Sequence, residues 1–101
     1  MQLSYAKQAV VEVNEALAYY NAIDSALSQR LVFEIDQALR LICAMPMAWK
    51  IIDVGGGRSV RQCRVKVFPC TLIYTFKQDV IGIVAFANTH RRPNYWRGRL
   101  V

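Results

Sequence analysis

The sequence predicts an α+β domain in which an antiparallel helical hairpin packs on a C-terminal antiparallel β-sheet of three to four strands. Three observations indicate this fold. Apolar residues recur at helical spacing in the first half of the chain, they alternate or run together as in strands in the second half, and Pro46 separates the two. Because 101 residues form only one core, we predict a single domain covering residues 1–101.

The first helix is predicted over residues 6–20, where apolar side chains recur three and four positions apart. Residues 21–25 supply turn and N-cap side chains. The second helix is predicted over residues 25–44, and Pro46 ends it because proline lacks an N–H and restricts the preceding residue. Four polar residues are expected mostly on the outer side of the first helix: Lys7, Glu12, Asn14 and Glu15.

Strands are predicted over residues 49–53, 59–67, 71–76 and 80–87. The last is apolar on both faces, so we expect it to be central and covered on each side. The triple glycine at 55–57 lacks the residue order of a phosphate-binding loop and is interpreted as a hairpin loop. One arginine falls on the apolar side of the 59–67 strand, which predicts either a local bulge or a buried face that opens to solvent there: Arg61.

The net charge of +6 is unevenly distributed. Residues 1–49 carry three basic and five acidic side chains and residues 50–101 carry ten basic and two acidic, so the halves have charges of −2 and +8. This distribution favours an anionic partner, either nucleic acid or an acidic protein segment. Since no apolar run approaches the roughly 18 residues that span a bilayer, and no targeting signal is visible, we expect a cytoplasmic protein without a membrane partner.

Three cysteines, Cys43, Cys63 and Cys70, lie in apolar segments without a C-x-x-C pair, and we interpret them as buried thiols. With one histidine and no clustered carboxylates, the sequence predicts neither a metal site nor a cofactor. The most informative segment is residues 83–99, where an apolar strand passes directly into a basic and aromatic stretch. Tyr95 and Trp96 are interpreted first as an aromatic clamp that closes the core.

Short motifs follow one another in a distinctive order: Val60-Arg61, Val67-Phe68-Pro69, Ile73-Tyr74, Asp79-Val80-Ile81, and Arg91-Arg92-Pro93 followed by Tyr95-Trp96 and Arg99. With the helical hairpin before them, these motifs resemble the RelE/ParE family of toxins from bacterial type II toxin–antitoxin modules. The Phe-Pro and Pro-x-Tyr-Trp features are similar to the ParE branch. Members of that kind commonly carry a histidine five residues before the last proline. Here Asn88 takes that position, and the single histidine is His90.

The resemblance implies a ParE-like toxin that inhibits growth by binding a cellular target, for which DNA gyrase is the first candidate. It also implies that a cognate antitoxin neutralises the toxin in a hetero-oligomer, through an acidic C-terminal segment. The residues expected to bind the target or antitoxin are Arg61, Arg64, His90, Arg91, Arg92, Tyr95, Trp96 and Arg99. The alternatives are a RelE-like, ribosome-dependent mRNA endonuclease and an inactive relative retained as a binding module.

For the endonuclease, the candidate catalytic residues are Arg61, Lys66, Arg92 and Tyr95. Arginine can clamp a phosphate but is a poor base, which leaves Lys66, Tyr95 or His90 for proton transfer. In either case we expect Arg61→Ala and Arg92→Ala to reduce toxicity without unfolding the protein.

Overall fold

A computed structural model describes residues 2–55 and 58–100. Of the loop predicted at 55–57, Gly55 is the last residue of a strand, and Gly56 and Gly57 lie outside the described residues. The elements, in chain order, are β1 (Gln2–Tyr5), α1 (Lys7–Ile23), α2 (Ser25–Ala44), β2 (Lys50–Gly55), β3 (Arg58–Val65), β4 (Cys70–Lys77), β5 (Val80–Asn88) and a short 3-10 turn (Arg97–Arg99). None of the helices in this part of the chain is long and apolar enough to cross a membrane.

The two helices form the predicted hairpin, and a single residue separates them. Asp24 has an extended backbone, and its carboxylate accepts a hydrogen bond of 2.9 Å from the N–H of Ala26 at the start of α2. This side chain therefore caps α2, as the turn chemistry predicted. α1 continues to Ile23, three residues further than the apolar spacing indicated.

The sheet has five strands in the order β1-β5-β4-β3-β2. Neighbouring strands from β2 to β5 are antiparallel, but β1 pairs with β5 in parallel, from Gln2 opposite Val80 to Tyr5 opposite Ile83. The α+β prediction is confirmed, whereas the expectation of a purely antiparallel sheet of three to four strands is corrected. All four residues of β1 are exposed, so the strand is held by backbone hydrogen bonds rather than by a buried face that a pattern would reveal.

Two turns set the lengths of β3, β4 and β5. β4 and β5 are joined at Gln78 and Asp79, both with positive φ, as in a two-residue hairpin. β3 ends at Val65, two residues before its predicted end, because the chain turns at 66–69. Val67 has φ 76° in this turn and is 68% exposed, while the next residue, Phe68, is buried.

The sheet is covered on both faces. On the helix face, α1 and α2 bury the larger cluster of apolar side chains against β3, β4 and β5. On the opposite face, which we call the open face, a smaller cluster contains Val60, Ile73, Val84, Ala85 and Trp96. β5 lies between β1 and β4 and contributes to both clusters, which matches the prediction of a strand with something packed over each side.

Candidate functional site

The C-terminal segment, residues 89–100, folds back over the open face. Its first turn is held by backbone hydrogen bonds from Thr89 N–H to the carbonyl of Pro69 (3.0 Å) and from Arg91 N–H to the carbonyl of Asn88 (3.2 Å). The Asn88 side chain also accepts from the N–H of His90 at 2.9 Å. Asn88 therefore shapes the turn that presents the basic residues.

Trp96 anchors the C-terminal segment. Its side chain is 3% exposed and packs in the open-face cluster with Val60, Ile73 and Val84. The indole is therefore part of the core, as the clamp interpretation predicted, and its ring faces are not free to stack on nucleic-acid bases. Arg97, the next residue, lies 3.5 Å from the carboxylate of Asp53 on β2, but both side chains are partly exposed.

Tyr95 and Arg99 both donate hydrogen bonds to the carboxylate of Glu12 on α1. Arg99 Nη1 lies 2.7 Å from Glu12 Oε1, and the phenol of Tyr95 bonds to Oε2. Only 10% of the Glu12 side chain and 14% of the Arg99 side chain are exposed. The pair is consequently shielded from solvent, which strengthens it relative to a surface ion pair.

Glu12 was expected mostly on the outer side of α1, and the structure corrects that placement. The position lies three residues after Ala9 and four before Ala16, and both alanines belong to the buried side of the helix. The helical spacing thus indicated that Glu12 faces the sheet, although its charge suggested that it faces solvent. Glu12 was not among the functional residues predicted from the sequence.

The contacts of Glu12 shift both its own pKa and the pKa of Tyr95. Burial alone would raise the pKa of Glu12, but hydrogen bonds from Arg99, Tyr95 and the N–H of Phe86 outweigh it and lower the pKa below its usual value. For Tyr95, burial and the bond to Glu12 together raise the pKa well above the usual value for a phenol. A phenol is protonated at neutral pH even at its usual pKa, and the hydrogen bond to Glu12 commits the Tyr95 proton to that carboxylate, so Tyr95 does not serve there as a general base.

Arg61 lies on the helix face of β3, opposite Tyr74 of β4, and is 8% exposed. Its Nη1 donates to the carbonyls of Met47 (2.9 Å) and Trp49 (2.8 Å). The pairing of β2 with β3 is irregular opposite Arg61, between Ile51 and Asp53, but this irregularity leaves Arg61 on the helix face, and its side chain is buried rather than open to solvent. Neither predicted explanation therefore describes its position. Instead, the guanidinium ties down the loop that connects α2 to β2.

A cavity of about 250 Å³ on the open face brings several predicted residues together. Arg91, Arg92, Tyr95 and Trp96 form one wall of this open-face cavity, and Gln62, Thr71 and Ile73 form its floor. Arg64 is exposed and pairs with Thr71, so it lies on the same face. The basic residues that remain accessible on this side are suited to binding an anionic group.

A larger cavity of about 640 Å³ lies on the other side of the C-terminal segment, between α1 and the end of β5. Tyr19, Tyr20 and Phe86 give it an aromatic lining, while His90 and Arg91 stand at one end. Tyr19 is 64% exposed. Glu12 and Glu15 also line the cavity, so its charge is mixed and its aromatic part suits an apolar side chain.

No protein-family model matches this sequence, and no curated protein matches it either. Among solved structures, the chain is similar to one described as the chromosomal ParDE TA system from P. aeruginosa, with a TM-score of 0.71. The alignment covers 87% of this chain and 95% of that chain, at 14% sequence identity. The chain has a RelE/ParE-like fold. The match confirms the fold that the ordered motifs indicated, and at this identity it carries no residue roles.

Within this RelE/ParE-like fold, the four candidate catalytic residues do not converge. Arg92 and Tyr95 line the open-face cavity. Arg61 lies on the opposite, helix face of the sheet, and Lys66 is exposed in the turn after β3. His90 lines the larger cavity instead. Among the residues that the structure describes, no group of three or more histidine, cysteine or acidic side chains could hold a metal ion.

The three cysteines of the chain are free thiols. Cys63 and Cys70 are buried in the core, as predicted, while Cys43 is partly exposed. Burial raises the pKa of the Cys63 thiol to about 11, and it also raises that of Cys70. Both thiols are consequently unreactive at neutral pH, which argues against a role in nucleophilic chemistry.

Proposed function

We propose that this protein is the toxin of a type II toxin–antitoxin module, of the ParE kind, and that it acts in the cytoplasm by binding a target rather than by cleaving a substrate. The observation that carries the preference for binding is the engagement of Tyr95 by Glu12, because this contact commits the proton of one candidate for proton transfer to a structural hydrogen bond. The RelE/ParE-like fold supports the toxin assignment.

Cleavage of RNA requires a base for the 2′-hydroxyl, stabilisation of the phosphate charge and an acid for the leaving oxygen. In this chain, Arg61 already donates to two backbone carbonyls, and Tyr95 is held protonated. His90 and Arg92 line different cavities, and Arg91, which lines the same cavity as His90, is already paired with Glu12. These contacts favour a binding protein over a nuclease.

The proposed partners follow from charge. Arg64, Arg91 and Arg92 are exposed around the C-terminal segment, in the half of the chain that carries a charge of +8. An acidic antitoxin segment is complementary to this surface, and association of the two proteins as a hetero-oligomer would cover it. DNA gyrase is the first candidate for the cellular target, on the similarity of the closing motifs to the ParE branch.

The second candidate function is RelE-like cleavage of mRNA on the ribosome. One observation favours it, namely that Arg92 stands at the rim of a cavity floored by Gln62 and Thr71, where a phosphate could be held. On the ribosome, a base supplied by the RNA or by the ribosome itself would then have to replace the missing side chain.

Induction of the protein in a bacterial host, followed by two assays, distinguishes these functions. A gyrase inhibitor is expected to block supercoiling by purified gyrase at micromolar protein and to cause DNA damage in cells. An endonuclease is expected to stop translation and to cut mRNA at particular codons. If the purified protein leaves supercoiling untouched and cleaves mRNA on ribosomes, the leading proposal is wrong.

Two matched variants test the surface. Arg92→Ala is expected to weaken growth arrest about fivefold or more, because arginine is among the residue types enriched at the centres of interfaces, and the loss of about 1 kcal/mol weakens binding by that factor. Arg40→Ala removes the same charge from the outer face of α2, where Arg40 pairs with Asp36, and should arrest growth like the unaltered protein. Equal arrest by both variants would contradict the assignment of Arg92 to the binding surface.

A further inference from the structure

We infer that Glu12 is the positioning residue that fixes the C-terminal segment, and with it the basic surface of the proposed toxin. The effect on toxicity rests on the proposed function, whereas the positioning itself does not. The inference begins with an exposed sheet edge. β1 pairs with β5 only as far as Tyr5 opposite Ile83, and β5 continues to Asn88. The outer edge of β5 beyond Ile83 therefore has no strand beside it in the described sheet.

Two side chains bind the backbone of β5 along this part of its edge. The N–H of Phe86 donates to Glu12 Oε1 at 3.1 Å, and the carbonyl of Val84 accepts from Arg99 Nη1 at 3.1 Å. Glu12 and Arg99 thus supply the acceptor and the donor that the backbone of a neighbouring strand would supply. Because the two are also paired with each other at 2.7 Å, they close the edge as one unit.

The same carboxylate sets the position of Arg91. Arg91 Nη1 lies 3.6 Å from Glu12 Oε2, and its guanidinium stands 3.9 Å above the centre of the Tyr95 ring. The guanidinium of Arg99 lies 5.0 Å from the centre of that ring. Two positive groups therefore converge on one phenol, and the negative charge of Glu12 is what offsets their repulsion.

Loss of this charge should release the segment without unfolding the domain. In Glu12→Gln the shape of the side chain is kept, but Arg91 and Arg99 lose their common counter-charge. Trp96 remains buried in the open-face cluster and continues to anchor the middle of the segment. The expected result is a folded protein in which the edge of β5 opens and the guanidiniums of the segment are no longer fixed.

Hydrogen exchange followed by NMR tests the positioning. In Glu12→Gln, the amide of Phe86 and the amides of residues 97–99 are expected to exchange at least tenfold faster than in the unaltered protein. Asp36→Asn is the matched control, since it removes the same charge from an exposed position on α2 and should leave these rates unchanged. Tyr95→Phe, a milder change, removes the phenol hydroxyl that donates to Oε2 but keeps the bond to the same atom from Arg99 Nη2 at 3.2 Å, and it should give an intermediate rate.

A pH titration separates positioning from packing. In the unaltered protein, the NMR signals of the Tyr95 ring should shift as the Glu12 carboxylate titrates below the usual carboxylate range, and Glu12→Gln should abolish this shift. Unchanged exchange at Phe86 in Glu12→Gln would overturn the inference.

Growth arrest provides the functional readout. Glu12→Gln is expected to arrest growth at least fivefold more weakly than Asp36→Asn. If the unaltered protein does not arrest growth, the proposed function fails, while the exchange rates still decide the positioning role of Glu12. If exchange rises and growth arrest stays complete, Glu12 positions the segment but the segment does not act on the target, and the functional part of the inference is refuted.

Discussion

Replacing Arg61 with methionine should destabilise the protein by about 3 kcal/mol. Methionine keeps an unbranched apolar stem within β3 but provides no donor for the carbonyls of Met47 and Trp49, which accept from Arg61 Nη1 at 2.9 and 2.8 Å. Hydrogen bonds from a charged donor contribute about 1.5–3 kcal/mol each, and we take the lower value because desolvation of the guanidinium is recovered on substitution. The loss is large against a typical stability of roughly 5–15 kcal/mol.

Urea unfolding followed by far-UV circular dichroism measures this cost. With a slope of about 1–3 kcal/mol per molar urea for a small domain, the unfolding midpoint should fall by roughly 1–3 M. Arg64→Met is the matched control, because Arg64 is exposed three residues further along β3 on the open face. Its free energy of unfolding should stay within about 0.5 kcal/mol of the unaltered value.

The outcome also decides how Arg61 variants are interpreted in toxicity assays. The sequence led us to expect that Arg61→Ala would reduce toxicity without unfolding the protein, whereas the two carbonyl contacts indicate that part of any lost toxicity would come from lost stability. If Arg61→Met unfolds at the same urea concentration as the unaltered protein, the structural role assigned to this guanidinium is wrong.

Three further predictions concern pH, packing and thiol reactivity. Since the pKa of Glu12 is lowered from 4.5 in the folded protein, its stabilising contribution is complete above that value and is lost as the pH falls through the folded pKa. Between pH 7 and pH 3, the unaltered protein should therefore lose more unfolding free energy than Glu12→Gln. A Cβ at Gly82 would lie 2.9 Å from Thr75 Oγ1, so Gly82→Ala should cost about 1–3 kcal/mol, and the cost should shrink in a Thr75→Ala background; equal costs in both backgrounds would contradict the clash. A thiol reagent at pH 8 should label the partly exposed Cys43 first and reach Cys63, with its pKa of about 11, only on unfolding, as mass spectrometry would show.

The sequence was sufficient for the fold class and for the anchor at Trp96, because both depend on burial, and burial leaves a periodic or clustered apolar pattern. It also identified Arg61 as unusual, since a charged residue interrupted the apolar side of a strand. It could not identify what Arg61 contacts, because its partners are backbone carbonyls 12 and 14 residues away. Every residue has a backbone carbonyl, so the residue types at those positions do not indicate the contact.

Glu12 and β1 were missed for different reasons. Glu12 fits the buried spacing of α1, yet an acidic residue suggests solvent unless its partner is known, and Arg99 is 87 positions away. β1 has four exposed residues and pairs in parallel with a strand that begins at Val80, so its evidence is entirely in backbone hydrogen bonds. The basic residues of the closing segment were recognised from composition, but their division between two cavities depends on the turn at Asn88.

The cover over the outer edge of β5 has a consequence for folding. Residues 2–5 protect one half of this edge, and Arg99, paired with Glu12, protects the other. During synthesis, the hairpin of β4 and β5 can form from neighbouring residues, but its outer edge stays open until parts of the chain separated by more than 90 residues have both docked. Such late, non-local contacts slow folding, and an open strand edge in the meantime invites pairing with other chains. Aggregation during expression should therefore respond to substitutions at Glu12 and Arg99 more than to equally destabilising changes within the helical hairpin.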